Sequence, residues 1–168
     1  MKEKLYIGID PGMAGGIAVL GRQGVVDIMV MPATPADILD TLRQFSNLAS
    51  SESWDVVACL EDVGKGMPGQ SSSATAKFAR HCGHLEMALL SLGITTVTVT
   101  PQKWQRMYQL GKSSEHTKTE WKNRLKAKAQ QLFPQQSKHI TLKTADALLI
   151  AEYARKNNLW NSSRYTTG

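Results

Sequence analysis

Three acidic residues that lie far apart in the chain stand where predicted secondary-structure elements begin or end. Asp10 ends the apolar run "LYIGID", Glu61 ends the run "DVVACLE", and Asp146 opens a C-terminal segment with helical periodicity. Three carboxylates at one place repel one another unless a cation lies among them, and oxygen ligands without His or Cys favour Mg²⁺ or Mn²⁺. The acids therefore predict a divalent-cation site, and a pair of such ions can promote hydrolysis of a phosphodiester.

Each of these acids also has an ordinary structural explanation. Asp10 precedes Pro-Gly and suits a turn, and Glu61 suits an exposed position just after a strand. Asp146 suits the first turn of a helix, where the helix dipole favours an acid. The cation site is the stronger hypothesis because all three acids fall where a single site needs them.

The positive charge of the chain is concentrated in one segment. The 168 residues carry a net charge of +6, but the segment from Lys103 to Lys143 has ten basic and two acidic residues, which is +8, so the remainder is −2. Basic side chains displace the counterions condensed on nucleic-acid phosphates, and the segment therefore predicts a polyanionic partner. A solvated helix face is the alternative. Trp104 and Trp121 within the segment are interpreted as core anchors, with base stacking as the alternative.

The phosphate-contacting residues that we predict are the basic side chains of this segment and its borders, namely Lys103, Arg106, Lys112, Lys118, Lys122, Lys126, Lys138 and Lys143. Three of them, at positions 118, 122 and 126, recur every four residues and would line one face of a helix.

The hydrophobic pattern predicts strands alternating with helices, which is typical of an α/β protein. Strands are predicted at residues 4–10, 17–20, 25–31, 55–61 and 94–99. Helices are predicted from Pro35 through Phe45, over 74–92, from Pro101, and over 120–133 and 144–157, with a polar connection at 46–53. We expect a mixed five-stranded sheet flanked by helices. If the first and fourth strands are parallel neighbours, Asp10 and Glu61 meet at their C-terminal ends.

The length suits a single domain, which we place at residues 1–160, followed by a flexible C-terminal tail at 161–168. The sequence has neither the apolar core of a signal peptide nor a membrane span, and we expect no membrane association. An intracellular, cytoplasmic protein is the simplest expectation, and a phage-infected host or an organelle would also fit.

Four segments carry a resemblance to a known family. The motifs "IGIDPGMAGGIAVL", "VACLEDV" and "TADALLIAEYA" resemble those of the RuvC-type Holliday-junction resolvases of the ribonuclease H-like superfamily. The basic segment "TPQKWQRMYQLGKSSEHTKTEWKNRLKAKAQQLFP" is similar to that of the phage and organellar members. The resemblance covers roughly residues 4 to 157.

The resemblance implies a ribonuclease H-like fold and a metal-dependent endonuclease that acts as a homodimer on four-way DNA junctions. By motif, Asp10, Glu61 and Asp146 take the places of the metal-binding carboxylates, with Asp10 bridging two Mg²⁺ ions. A basic-segment lysine near the scissile phosphate is implied as well, and Lys118 is preferred over Lys112. The expected products carry a 5′-phosphate and a 3′-hydroxyl, and no nucleotide cofactor is expected.

The helix predicted at 74–92 suits the dimer interface, because Ala76, Ala79 and Gly83 permit close approach. The alternative is that this helix packs only on its own sheet.

The sequence departs from the family pattern at two places. Lys143 stands where bacterial members have a fourth acid. Two hypotheses are open for the missing acid: Lys143 neutralises phosphate itself, or His139 serves as a ligand or base, with an ordinary loop histidine as the alternative. Gly64 stands where those members carry an aromatic wedge, and Met67 in the same loop is a candidate replacement.

Three other functions fit part of the pattern. A different ribonuclease H-like nuclease would act on RNA–DNA hybrids or flaps, and a non-catalytic protein would bind junctions without cutting them. A sugar-kinase-like phosphate-binding fold also begins with a strand, Asp and a Gly-rich turn, but needs two such halves and a much longer chain.

Overall fold

The computed structural model of the chain describes residues 2–64 and 71–159. Its centre is a mixed sheet in the order β3-β2-β1-β4-β5, in which β2 is antiparallel to β1 and β3, whereas β1, β4 and β5 are parallel. The strands are β1 (Lys4–Asp10), β2 (Gly16–Gly21), β3 (Gly24–Val30), β4 (Asp55–Glu61) and β5 (Thr95–Val99). The predicted five-stranded mixed sheet is confirmed, and β1 and β4 are the parallel neighbours that the site requires.

Helices cover both faces of the sheet because the inner strands carry apolar side chains on both faces. The helices are α1 (Pro35–Ser51), α2 (Ser72–Ser91), α3 (Pro101–Arg106), α4 (Lys118–Leu132) and α5 (Ala145–Lys156). One core contains side chains of α1 and α2, with Ile7 and Ile9 of β1. The other contains side chains of α3, α4 and α5, with Tyr6 of β1.

Helix α1 is longer than its sequence pattern predicts. The polar connection predicted at 46–53 is wrong, since the helix continues to Ser51. Ala49 is buried, and the hydroxyls of Ser50 and Ser51 donate to the carbonyls of Ser46 and Leu48 one turn back. These bonds satisfy the serine hydroxyls inside the helix, so a polar composition does not end it here.

Gly8 allows α5 to lie directly on β1. A Cβ placed on Gly8 would be 2.1 Å from the Ala147 carbonyl oxygen and 2.3 Å from the Ala151 nitrogen, far closer than any such contact permits. The first turn of α5, which carries Asp146, is thereby held against the strand that ends at Asp10.

The domain boundaries at 1–160 and 161–168 stay a prediction, and the predicted tail lies outside the described residues. No helix in the described ranges combines the length and the apolar character that a bilayer crossing demands.

Candidate active site

The three predicted acids come together at the C-terminal end of the parallel strands. Asp10 is the last residue of β1 and Glu61 the last of β4, and the two strands are paired up to Ile9 and Leu60. Asp146 follows from the first turn of α5. All three are buried, with 9%, 7% and 3% of their surface exposed, respectively. An exposed turn or strand-end position therefore does not describe Asp10 or Glu61.

Burial and mutual repulsion determine how these carboxyl groups titrate. Burial, followed by the charges of Asp146 and Glu61, raises the pKa of Asp10 to about 8. Burial also raises the pKa of Glu61 and of Asp146, against the opposing effects of Trp104 on Glu61 and of Lys122 on Asp146. The cluster therefore binds protons more tightly than exposed carboxylates do.

One cation is already present, on the side chain of Lys122 in α4. Its ammonium group donates to Oδ2 of Asp146 and lies 4.0 Å from Oδ2 of Asp10. Burial lowers the pKa of Lys122, but the carboxylates of Asp146 and Asp10 outweigh this effect and the net shift is upward. Lys122, predicted only as a phosphate contact, therefore lies inside the carboxylate cluster.

Helix α4 begins at Lys118 because Thr117 and Glu120 form a capping box at its N-terminus. The Thr117 hydroxyl accepts from the Glu120 amide, and the Glu120 carboxylate accepts from the Thr117 amide and hydroxyl. This cap places Lys122 one turn into the helix, next to the buried Trp121.

Glu61 has a neutral partner on its other side. The indole Nε1–H of Trp104 in α3 donates to Oε1 of Glu61 at 2.7 Å, and Trp104 is fully buried. The interpretation of Trp104 and Trp121 as core residues is confirmed, since both belong to the same buried cluster. Sequence reasoning did not find the bond from Trp104 to Glu61.

A cavity of about 530 Å³ opens beside the carboxylates. Asp10 and Glu61 form part of its wall, together with Lys118, Lys122 and Lys143. The apolar part of the wall includes Met13, Val63, Phe78 and Leu142. The cavity thus combines acids that can hold a cation with amines that can contact an anion.

The acidic residues are suitable ligands for a hard divalent cation, but the Lys122 ammonium lies next to two of them. The donors are carboxylate oxygens, and Oδ1 of Asp146 is buried without a hydrogen-bond partner among the described residues. Within residues 2–64 and 71–159, no three His, Cys, Asp or Glu side chains form a group ready to hold a metal ion. The Lys122 ammonium lies where a cation would approach Asp10 and Asp146, so it would have to move aside for one.

The other predicted site residues fall into two groups. Exposed positions are occupied by Lys103, Arg106, Lys112, Lys118, Lys138 and Lys143, whereas Lys126 is half-buried. Lys118, preferred as the catalytic lysine, lines the cavity one turn before Lys122, and Lys112 does not line it. Lys143 lines the cavity as well, and its carbonyl oxygen would be 2.9 Å from a Cβ on Gly16.

The alternatives for the missing fourth acid differ in position. His139 is exposed and absent from the cavity wall, and its backbone carbonyl accepts from the Thr144 hydroxyl at 3.2 Å. Lys143 is therefore the better placed of the two. Met67, the candidate wedge, lies outside the described residues.

Comparison with known proteins gives matches in structure alone. No protein-family model matches the sequence, and no curated protein matches it significantly. The chain is similar to RuvC of Thermus thermophilus in complex with a Holliday junction substrate, with a TM-score of 0.58, 13% identity, and coverage of 92% of this chain and 96% of that one.

Two further solved structures are similar at the same 13% identity. A second structure of Thermus thermophilus RuvC gives a TM-score of 0.53 over 92% of this chain and 96% of that one. The yeast mitochondrial Holliday junction resolvase Ydc2 gives a TM-score of 0.47, with coverage of 95% of this chain and 81% of that one. The predicted ribonuclease H-like fold is confirmed by the two RuvC structures, and the chain has the fold of RuvC.

Proposed function

We propose that this protein is a divalent-cation-dependent endonuclease that resolves four-way DNA junctions. The observation that carries the proposal is the burial of Asp10, Glu61 and Asp146 together at the end of a RuvC-like sheet. Buried carboxylates with raised pKa values destabilise a folded chain, and clusters of this kind are characteristic of functional sites. The similar RuvC structure is described as a complex with a Holliday junction substrate, which supports the same substrate class here.

The three acids and three of the lysines have separate roles in this proposal. Asp10, Glu61 and Asp146 would hold two Mg²⁺ or Mn²⁺ ions, as in the two-metal sites of many nucleases. Such ions, when bound, supply an activated water and neutralise charge on the leaving 3′ oxygen. Lys118, Lys122 and Lys143 would neutralise the phosphate that enters the cavity. Hydrolysis would leave a 5′-phosphate and a 3′-hydroxyl.

The basic segment would hold the arms of the junction near this cavity. Helix α3 follows β5, which is parallel to β4. It therefore begins at the C-terminal end of the parallel strands, where the carboxylates also lie. Lys103 and Arg106 are exposed on this helix, and contacts from such side chains to phosphates supply most of the sequence-independent affinity for DNA. An activity on DNA would also fit an intracellular location, in the cytoplasm or an organelle.

A homodimer would match the two-fold symmetry of a four-way junction and present one cavity to each of two opposing strands. Helix α2 supports this part of the proposal, because Met87 and Leu90 on it are 62% and 71% exposed. The small residues Ala76, Ala79 and Gly83 are exposed on the same helix and permit close approach of a second helix.

The decisive experiment compares cleavage of a four-way junction, an RNA–DNA hybrid and a flap, each with Mg²⁺ and with EDTA. We expect Mg²⁺-dependent cleavage of the junction in preference to the other two substrates. Asp10→Asn should abolish cleavage and leave junction binding nearly intact, because the substitution removes a cation ligand and not a phosphate contact. Preference for the hybrid or the flap would assign a different nuclease, and binding without cleavage in Mg²⁺ or Mn²⁺ would assign a non-catalytic junction-binding protein.

A further inference from the structure

We propose that Trp104 is a positioning residue of the cation site, holding the carboxylate of Glu61 in the orientation that it presents to the cavity. This inference rests on the proposed function. The bond that carries it joins Nε1 of Trp104 to Oε1 of Glu61 at 2.7 Å. Both residues are buried, Trp104 fully and Glu61 with 7% of its surface exposed.

The ring of Trp104 is itself held from a second element. It meets the ring of Tyr108 edge to face, with centroids 6.2 Å apart and an interplanar angle of 71°. The Tyr108 hydroxyl donates to the backbone carbonyl of Leu149 in α5. Since α5 also carries Asp146, this series of contacts relates the orientation of Glu61 to the helix that supplies another acid of the cluster.

The chemistry of an indole suits this role. Its N–H can only donate, so it stabilises the charged carboxylate and cannot take a proton from it. Groups that hydrogen-bond to a cation-binding carboxylate commonly change cation affinity or activity by about 10–100-fold when removed. Trp121 offers a contrast within the same basic segment, because its buried Nε1 has no partner among the described residues.

The contrast supplies a matched pair of variants for the test. Trp104→Phe removes a buried N–H that is bonded to Glu61, whereas Trp121→Phe removes a buried N–H that has no partner within residues 2–64 and 71–159. We expect Mn²⁺ binding by Trp104→Phe, measured by calorimetry without DNA, to weaken by about 10-fold or more, and binding by Trp121→Phe to stay near native. In a Glu61→Gln background, Trp104→Phe should cause no further weakening. Junction affinity in EDTA should be unchanged in both variants.

A measurement on the native chain covers the case in which Trp104→Phe does not fold. The indole N–H resonance of Trp104 should move when MgCl₂ is added, because the charge on Oε1 is redistributed, and that of Trp121 should stay in place. Equal Mn²⁺ affinity of the two variants, or an unmoved Trp104 resonance in a protein that cuts junctions, overturns this inference and leaves the proposed function standing. A native protein that binds no Mn²⁺ and cuts nothing overturns both.

Discussion

The buried acids oppose folding, and the residues around them reduce that cost without removing it. Asp10 is repelled by Asp146 and Glu61, and the ammonium of Lys122 compensates only part of this charge. The pKa of about 8 for Asp10 means that the folded chain binds a proton there that the unfolded chain releases above its usual pKa of 3.8. The contribution of Asp10 to stability is therefore greatest at low pH and is lost as the pH rises through about 8.

Replacing Asp10 should consequently stabilise the protein in alkaline solution. Asp10→Asn is expected to raise the free energy of unfolding by more than about 1 kcal/mol at pH 9 in EDTA, and by much less at pH 5. The reason is that the amide carries no charge to bury at either pH. Thermal unfolding followed by circular dichroism at the two pH values measures the effect. Equal melting temperatures of the variant and the native chain at pH 9 would contradict the raised pKa.

Lys122 should compete with divalent cations for the carboxylates in the DNA-free protein. Lys122→Met is expected to bind Mn²⁺ several-fold more tightly than the native chain. The substitution removes the ammonium group that contacts Asp146 and approaches Asp10. Lys118→Met is the control, since Lys118 lines the same cavity but forms no ion pair with the described residues. Titration calorimetry measures both affinities. Weaker binding by Lys122→Met would mean that the lysine supports the cation instead of competing with it.

At the scale of elements, the site depends on how closely α5 approaches β1. Gly8 is the residue that permits this approach, since any Cβ there would overlap the α5 backbone at Ala147 and Ala151. The parallel pairing of β1 with β4 then sets Asp10 beside Glu61, and the first turn of α5 adds Asp146. A small displacement of α5 would separate the acids without changing the sheet.

Gly8→Ala should therefore destabilise the chain and also disturb the proposed cation site. We expect a loss of at least about 2–3 kcal/mol in the free energy of unfolding, because backbone atoms of α5 cannot move aside as a flexible side chain would. Gly83→Ala in α2 is the comparison, since no described residue of the same chain lies within 4 Å of its added Cβ. Alanine is favoured over glycine inside a helix, so this substitution should stabilise the variant by up to about 1 kcal/mol. Urea unfolding measures both, and a native-like Gly8→Ala would disprove the close packing.

Across the whole molecule, the charges are segregated. The segment from Lys103 to Lys143 carries +8 and the rest of the chain −2. Side chains of this segment contribute to the core on the α5 side of the sheet, while α1 and α2 pack on the opposite face. Most of the positive charge therefore lies in the segment that packs on the α5 side of the sheet, and the proposed DNA partner is expected to approach from that side.

The salt dependence of junction binding should identify this side. Removing two charges with Lys103→Gln and Arg106→Gln is expected to reduce the slope of log K against log salt by about 2, at roughly 0.9 per phosphate contact. Arg22→Gln with Arg43→Gln removes the same charge outside the segment, from exposed positions before β3 and on α1, and should leave the slope unchanged. Binding measured by fluorescence anisotropy in EDTA gives both slopes. Identical slopes for the two double variants would argue against the basic segment as the DNA surface.

Charged substitutions on α2 should disrupt the proposed dimer. Met87→Asp combined with Leu90→Asp should convert a dimer to a monomer, because exposed apolar side chains of α2 would be replaced by charges within an interface. Val30→Asp, at a 51% exposed position on the edge strand β3, should leave the dimer intact. Sedimentation velocity distinguishes the species. A native chain that sediments as a monomer would rule out the dimer at the concentration used.

Most of the elements and the identity of the three acids were predictable because they rest on local signals. Alternation and helical spacing located the strands and helices, and an acid at the end of an apolar strand is unusual enough to indicate a site. The end of α1 was not predictable from composition, since the bonds of Ser50 and Ser51 within the helix override it. The placement of Lys122 had one available signal, its position directly after Trp121 of the buried stripe that continues at Leu125 and Ala129.

The sequence by itself determined which acids and which basic segment are available, since residue type, periodicity and net charge do not depend on the fold. Only the tertiary structure decided that Lys122 contacts the acids while Lys118 stays exposed, because both lie on one stripe of α4 and only the packing of α4 on α5 distinguishes them. The same holds for the bond from Trp104 to Glu61, which joins residues 43 positions apart in the chain. Contacts between distant residues depend on how the layers close on one another, and no local pattern records that.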